Sequence, residues 1–215
     1  MELILIRHGT TQGNKERRFI GVLDVPLAPE GEELARKVGP TLPEVDHVYR
    51  SPLLRCAQTA DLLWPEAEKT VIGQLRETDF GPFEGKNHEE LKDDPLYQQW
   101  ITTADFAKIP VGESADQAVE RASEGLRLLL DDAKEHGYER VGVVSHGGTL
   151  MGLLWRFGRP YREYYDWMCA NCGGYRVQVQ ETPLTLEDLG AVGGSALWLS
   201  TLLPCWRGVC WICCW

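Results

Sequence analysis

The stretch Leu3-Ile4-Leu5-Ile6-Arg7-His8-Gly9-Thr10-Thr11-Gln12-Gly13-Asn14 decides how the chain is to be read. An apolar run of strand length ends in Arg7-His8-Gly9, and polar, turn-prone residues follow. An α/β chain presents reactive side chains in this way, at the carboxyl end of a strand where ligands bind. Arg offers a planar fork of donors suited to phosphate or carboxylate. His can serve as nucleophile, base or acid near neutral pH. Taken alone, the tripeptide also fits a strand end with a surface Arg and a capping His, so the rest of the chain has to decide.

Outward from this strand (residues 2–6), residues 14–29 are loop-like, punctuated by Gly21, Pro26 and Pro29. A helix opens at Pro29 with an acidic first turn and runs to about Leu42. A short strand at 46–50 leads into Ser51-Pro52, read as an N-cap and first helical residue, and a helix follows to Leu63. Thr70-Val71-Ile72 is a third strand, and Leu75 to Gly85 is irregular. Residues 87–109 form two short helical patterns, with Tyr97, Trp100 and Phe106 available to pack as a small cap. Ser114 caps a long helix to about Glu135 whose apolar stripe is Ala118, Val119, Ala122, Leu126, Leu129 and Leu130. Val141–Ser145 reads as a buried strand running into His146-Gly147-Gly148, with helix at 150–157, and Tyr175–Glu181 alternates like a last strand at a sheet edge. Alternating strands and helices imply a three-layer αβα sandwich with a mainly parallel sheet and a small helical cap.

The 215 residues suffice for one domain with a full core. A net charge of −10 opposes binding to nucleic acid or anionic membrane, so an anionic substrate requires positive charge focused locally. Arg7 interrupts the N-terminal apolar run before a signal-peptide core can form, which leads to the expectation of a cytoplasmic protein. Cys169/Cys172 and Cys210/Cys213 have CxxC spacing, but nothing around them supports a zinc ribbon or knuckle, and no metal is expected. After Thr182 the pattern changes, with four of the eight Trp and four of the seven Cys falling in the tail. Residues 1–182 are therefore read as the domain and 183–215 as an atypical extension. Ala196–Trp215 has about the length of a membrane span, but Pro204 and Arg207 near its middle weaken that reading.

Several strand ends now carry chemistry. Ile6-Arg7-His8-Gly9 and Ser145-His146-Gly147-Gly148 each place an imidazole beyond an apolar strand, and the glycines let backbone N–H groups approach an anion. Arg55 lies one turn into the helix after Ser51, and Glu77 follows the third strand. Each has an ordinary explanation, yet Arg7, His8, Arg55, Glu77 and His146 all fall at one edge of one sheet. Two Arg forks and a second His can neutralise a transferring phosphoryl group without a metal, and no cofactor is expected.

The sequence resembles the histidine phosphatase superfamily over residues 2–181. The resemblance rests on Arg7-His8-Gly9 with Asn14, on Ser51-Pro52-Leu53-Leu54-Arg55 through Ala60, on Leu75-Arg76-Glu77 through Gly85, and on Ser145-His146-Gly147-Gly148. It implies that His8 is the phosphorylated nucleophile and that Glu77 is the proton donor. It also implies that Arg7, Arg55 and His146 bind the phosphoryl group, that Asn14 assists, and that Gly147 belongs to the phosphate site. A neutral attacking nitrogen on His8 requires the other ring nitrogen to be held by a backbone carbonyl. The partner expected is a small phosphorylated metabolite, and a homodimer is left open.

Within the superfamily, cofactor-dependent phosphoglycerate mutases use a basic pair for a second anionic group. Here residues 86–114 supply only Lys86, Lys92 and Lys108, which favours hydrolysis. Residues 18–27, Glu77–Lys86 and Tyr97–Trp100 resemble the α-ribazole phosphatase branch of cobalamin synthesis, so the implied activity is that of a phosphomonoester hydrolase. Tyr97, Trp100 and Phe106 fit either an aromatic leaving group or the packing of the cap. A mutase, and a non-catalytic phosphate-binding protein using the Trp/Cys tail as its working surface, stand as alternatives.

Overall fold

In the computed structural model, residues 1–102 and 112–194 are described. Phe106, Lys108 and the Trp/Cys-rich residues from 195 onward lie outside them. The strand order is β3-β2-β4-β1-β6-β7-β5, with β1 Glu2–Arg7, β2 His47–Arg50, β3 Lys69–Val71, β4 Arg140–Ser145, β5 Gly158–Arg159, β6 Gly173–Glu181 and β7 Leu184–Gly193. β1 pairs in parallel with β4, β4 with β2, and β2 with β3, while β6 runs antiparallel to both β1 and β7. The sheet is therefore mixed: its parallel half carries the strand ends singled out above, and antiparallel β6 and β7, with the short β5 parallel to β7, close the other side.

β1 lies between β4 and β6, and Leu3 to Ile6 are fully buried. A strand covered on both faces needs no polar residue, so its sequence is a continuous apolar run. Alternation then sorts its side chains. Leu3 and Leu5 join Val141 and Val143 against Leu126, Leu129, Leu150 and Leu154 of α6 (Ala115–His136) and α7 (Gly147–Phe157). Ile4 and Ile6 join Val48 and Val144 against Ala35, Cys56 and Leu63 of α2 (Pro29–Val38) and α3 (Leu54–Leu63). α6 begins at a Ser114–Gln117 capping box and ends at Gly137 with φ 71°. A third apolar cluster joins Phe19, Phe80 and Phe83 to Leu91 of α4 (His88–Leu91) and to Tyr97 and Trp100 of α5 (Pro95–Thr102).

Four expectations are corrected. α3 starts at Leu54 rather than Pro52, because its first amide donates to Asp24 Oδ1 at 2.6 Å and Ser51 is not its cap. The helix from Pro29 ends at Val38, and Gly39-Pro40-Thr41 continues as a tighter turn. β6 is not an edge strand. Residues beyond Thr182 do not all leave the domain: Leu184–Gly193 pair along the length of β6, bury Leu186, and place Asp188 against Arg162 at 2.7 Å. Few charges and several glycines in 183–194 disguised a strand whose order comes from its partner. The boundary expected at 182/183 thus falls inside a β-hairpin.

The buried pair Cys169 and Cys172 sits on opposite sides of the sheet, one in each large apolar cluster. Among the described residues, no helix is long and apolar enough to cross a membrane, and no group of three or more His, Cys, Asp or Glu is placed to hold a metal ion.

Removing β7 would strip β6 of one of its two hydrogen-bonded neighbours and leave it at the sheet edge with β1 alone beside it. A chain ending at Thr182 is expected to unfold at far lower urea than the full chain. Leu186→Ala in the full chain is expected to lose about 2–5 kcal/mol, measured by urea denaturation followed by tryptophan fluorescence.

Candidate active site

The end of β1 is bracketed from several directions. The His8 amide continues the strand pairing by donating to Ser145 O at 2.9 Å, and the His8 carbonyl accepts from Asn171 Nδ2 at 2.9 Å. Gly9 N donates to Thr59 Oγ1 at 2.9 Å, and that hydroxyl donates to Arg55 O at 2.6 Å. The imidazole is thereby left one orientation. His8 Nδ1 lies 2.7 Å from the Gly9 carbonyl, which can only accept, so Nδ1 carries the proton and Nε2 has a free lone pair. His8 is 5 % exposed. Burial, then the charges of Arg55 and Arg7, hold its pKa well below the usual imidazole value, and the ring is a neutral base at neutral pH.

His8 faces a small cleft lined also by Arg7, Asn14, Arg18, Ile20, Glu77, Gly147, Met151, Met168 and Cys169. Arg7 Nη1 donates to Cys169 O at 3.0 Å, while its Nε is buried with no protein partner. Gly147, the first residue of α7, lies directly beside it: a Cβ there would stand 3.4 Å from Arg7 Nε, an ordinary contact distance. An anion in the cleft would meet that Nε and the positive end of an eleven-residue helix.

Glu77 is brought to the same helix start. Its Oε2 accepts from Gly148 N at 3.0 Å, and its Oε1 from Thr78 N at 3.0 Å and Thr149 Oγ1 at 3.3 Å. Asn14 caps its own turn, since Oδ1 accepts from Thr11 N and Thr11 Oγ1, both at 3.0 Å. This commits the oxygen and leaves the amide nitrogen for the cleft.

Arg55 and His146 stand behind these residues, each 0 % exposed. The Arg55 Nη groups donate to the carbonyls of Leu23 at 2.8 Å and Gly21 at 2.7 Å, so most of its fork is already occupied, while Nε is buried without a partner. That loop is held in turn by the Glu84 carboxylate, which accepts from the amides of Gly21 (3.1 Å), Val22 (3.0 Å) and Phe80 (3.1 Å). His146 packs edge-on against His8 with ring centroids 5.2 Å apart, and its Nε2 lies 2.7 Å from Ser51 Oγ. Burial, with Arg55 and His8 adding to it, also depresses the His146 pKa strongly.

All seven expected positions thus converge, in two ranks: Arg7, His8, Asn14, Glu77 and Gly147 on the cleft, Arg55 and His146 behind it. Sequence reasoning missed Ser51 as the partner of His146 and Met151, Met168 and Cys169 as cleft wall. None carries a pattern beyond that of core or loop residues. Tyr97 and Trp100 pack inside the cap cluster rather than lining the cleft.

An α/β sheet whose strand ends gather a neutral imidazole, a half-buried and a fully buried guanidinium and a carboxylate defines a class built to handle phosphate. The profile of the histidine phosphatase superfamily (branch 1) matches residues 3–191, and the chain belongs to that superfamily. It is 32 % identical over 168 residues to phosphoglycerate mutase-like protein 4 of Arabidopsis thaliana, covering 74 % of this chain and 71 % of the relative. Among solved structures, the α-ribazole phosphatase of Shigella flexneri superposes with a TM-score of 0.76 at 26 % identity, covering 90 % of this chain and 96 % of that one. A mutant phosphoserine phosphatase of Entamoeba histolytica, in complex with phosphoserine, gives 0.74 at 27 %, covering 91 % and 98 %.

The depressed histidines make stability depend on pH. Below about pH 6.5 the unfolded chain takes up protons that folded His8 and His146 refuse. Their contribution is complete above that pH and is lost as pH falls toward the lowered folded values. His47 shifts the same way through burial, and exposed His136 the opposite way through its bond to Asp132 O. The thermal midpoint is expected to fall between about pH 7.5 and 5.5, with a shallower fall in His8→Asn, measured by calorimetry.

Proposed function

We propose that the protein is a phosphomonoester hydrolase working through a phosphohistidine at His8. The observation that carries this reading is the commitment of His8 Nδ1 to the Gly9 carbonyl, which leaves Nε2 as a nucleophile in a cleft shared with Arg7 and Glu77. In the first step the Nε2 lone pair forms a bond to phosphorus as the ester P–O bond breaks, and Glu77 delivers its proton to the departing alkoxide. In the second, water attacks the phosphorus, its proton passes to Glu77, and the P–N bond breaks to return His8 and release phosphate. Arg7 and the α7 N-terminus stabilise the equatorial oxygens directly, and the buried Arg55 adds charge from behind. The unpartnered Nε atoms of Arg7 and Arg55 support an anion as occupant.

Hydrolysis is favoured over mutase activity by the charge at the cleft mouth. Arg18 lines the cleft, but Glu16 at 2.6 Å and Glu90 at 2.7 Å already balance it. A substrate with a second strong anion therefore gains little there, whereas an ester whose remainder is uncharged loses nothing. This suits α-ribazole 5′-phosphate or a similar small ester, the class named by one of the structural neighbours.

Purified protein is expected to release phosphate in the presence of chelator and to trap acid-labile, base-stable radiolabel, and His8→Ala is expected to abolish both. Equal release by His8→Ala would refute the mechanism. On a panel of α-ribazole phosphate, phosphoserine and 3-phosphoglycerate, kcat/KM is expected to be highest for the first and mutase activity negligible. Efficient phosphoglycerate interconversion would reverse the assignment.

A further inference from the structure

The Glu77 carboxylate is held by the start of α7, but the backbone that delivers it has no ladder of its own. Residues 76–80 belong to neither strand nor helix. Their carbonyls are held from another layer: Thr149 Oγ1 of α7 donates to Arg76 O at 2.8 Å, and α6 supplies an arginine. Arg121, on α6, donates from Nη1 to Gln74 O at 2.6 Å and Arg76 O at 2.8 Å, and its Nη2 reaches Glu77 O at 3.4 Å. The same guanidinium makes a two-pronged pair with Glu113, Nε to Oε1 and Nη2 to Oε2, both at 2.7 Å.

Glu113 extends the clamp to the far side of Glu77. Its carboxylate also accepts from Arg76 at 3.2 and 3.3 Å and from Asp79 N at 3.4 Å, and its own amide donates to Asp79 O at 2.9 Å. Arg76 Nη1 in turn donates to Glu77 O at 3.0 Å. α6 comes close enough that a Cβ on Gly125 would stand 2.9 Å from Gln74 Cβ. The Arg121 and Glu113 side chains are only 14 % and 10 % exposed, so solvent screens this pair little. Burial would push the Glu113 carboxyl up, but the hydrogen bonds from Arg121 and the charges of Arg121 and Arg76 hold it below its ordinary value. It therefore remains an anion.

We infer that Arg121 and Glu113 are positioning residues for proton transfer: together they fix the 74–79 backbone so that the protonated Glu77 carboxyl meets the leaving oxygen. This rests on the reading of Glu77 as the proton donor. Neither residue touches the substrate, and neither lines the cleft. Their effect is on the step that needs a proton.

Leaving groups separate positioning from general loosening of the fold. kcat/KM includes only steps up to leaving-group departure. An alkyl phosphate needs protonation there, whereas 2,4-dinitrophenyl phosphate departs as a stable anion and does not. In Arg121→Gln, kcat/KM for the alkyl ester is expected to fall about tenfold to a hundredfold, while the dinitrophenyl ester stays within about twofold. Arg121→Lys is expected to recover only part of the loss, because an ammonium cannot reproduce the two-pronged fork. Glu113→Gln keeps the Arg121–carbonyl contacts and is expected to show the same selectivity more weakly, which tests the clamp should Arg121→Gln not fold. Glu77→Gln is the reference, with the largest selective loss. If it is selective and the Arg121 and Glu113 variants slow both esters alike or neither, the positioning role is overturned and the Glu77 assignment stands. If Glu77→Gln itself treats both esters alike, the Glu77 assignment falls and this inference falls with it.

Discussion

The burial of Arg55 is the constraint on which the rest of the structure depends. A guanidinium cannot be neutralised in a protein, so its burial requires acceptors arranged around it. Here they are main-chain carbonyls of residues 20–23 rather than a carboxylate. The positive charge is therefore solvated by dipoles and not cancelled. Added to the larger effect of burial, it helps to keep His8 and His146 neutral, and it adds to the attraction for an anion. The loop that supplies the dipoles is pinned through its amides by Glu84, and Asp24 of the same loop caps the helix bearing Arg55. Loop, helix and site are one mechanical unit.

Two histidines whose ring centroids lie 5.2 Å apart could exchange roles in principle, and their second nitrogens distinguish them. His8 is oriented by a carbonyl one residue away, a contact that fixes the tautomer and opens Nε2. His146 meets a hydroxyl that can donate or accept, is wholly buried, and forms the N-cap residue of α7. The first arrangement favours nucleophilic attack. The second favours holding a ring in place beside it. Likewise, Arg7 meets the cleft with an unused donor whereas Arg55 works from the second rank, a distinction invisible in two arginines of equal sequence prominence.

Much of the site was legible because chemistry at strand ends leaves a local mark. An apolar run followed by Arg-His-Gly, or by His-Gly-Gly before a helix, identifies both a strand and its reactive end. The misreadings share a different cause. Ser51-Pro52 has the form of a helix cap, but Asp24, distant in sequence, takes that task and leaves Ser51 to His146. Leu184–Gly193 has weak strand character of its own and is ordered by pairing with β6. Glu113 and Arg121 look like ordinary charged residues near a helix start, and only their meeting at the carbonyls around Glu77 gives them a purpose.

By itself, the sequence determined that β1 and β4 are buried strands, where their ends fall and which residue types gather there, and it carried the motifs that resemble the superfamily. The strands and their ends follow from periodicity and neighbouring residues along a few turns of chain, and the superfamily from the resemblance of its ordered motifs. Only the tertiary structure decided which arginine faces the cleft, which histidine has a free nitrogen, where the sheet ends, and what holds Glu77 in place. Each depends on hydrogen-bond partners far apart along the chain, and no local pattern encodes such a partner.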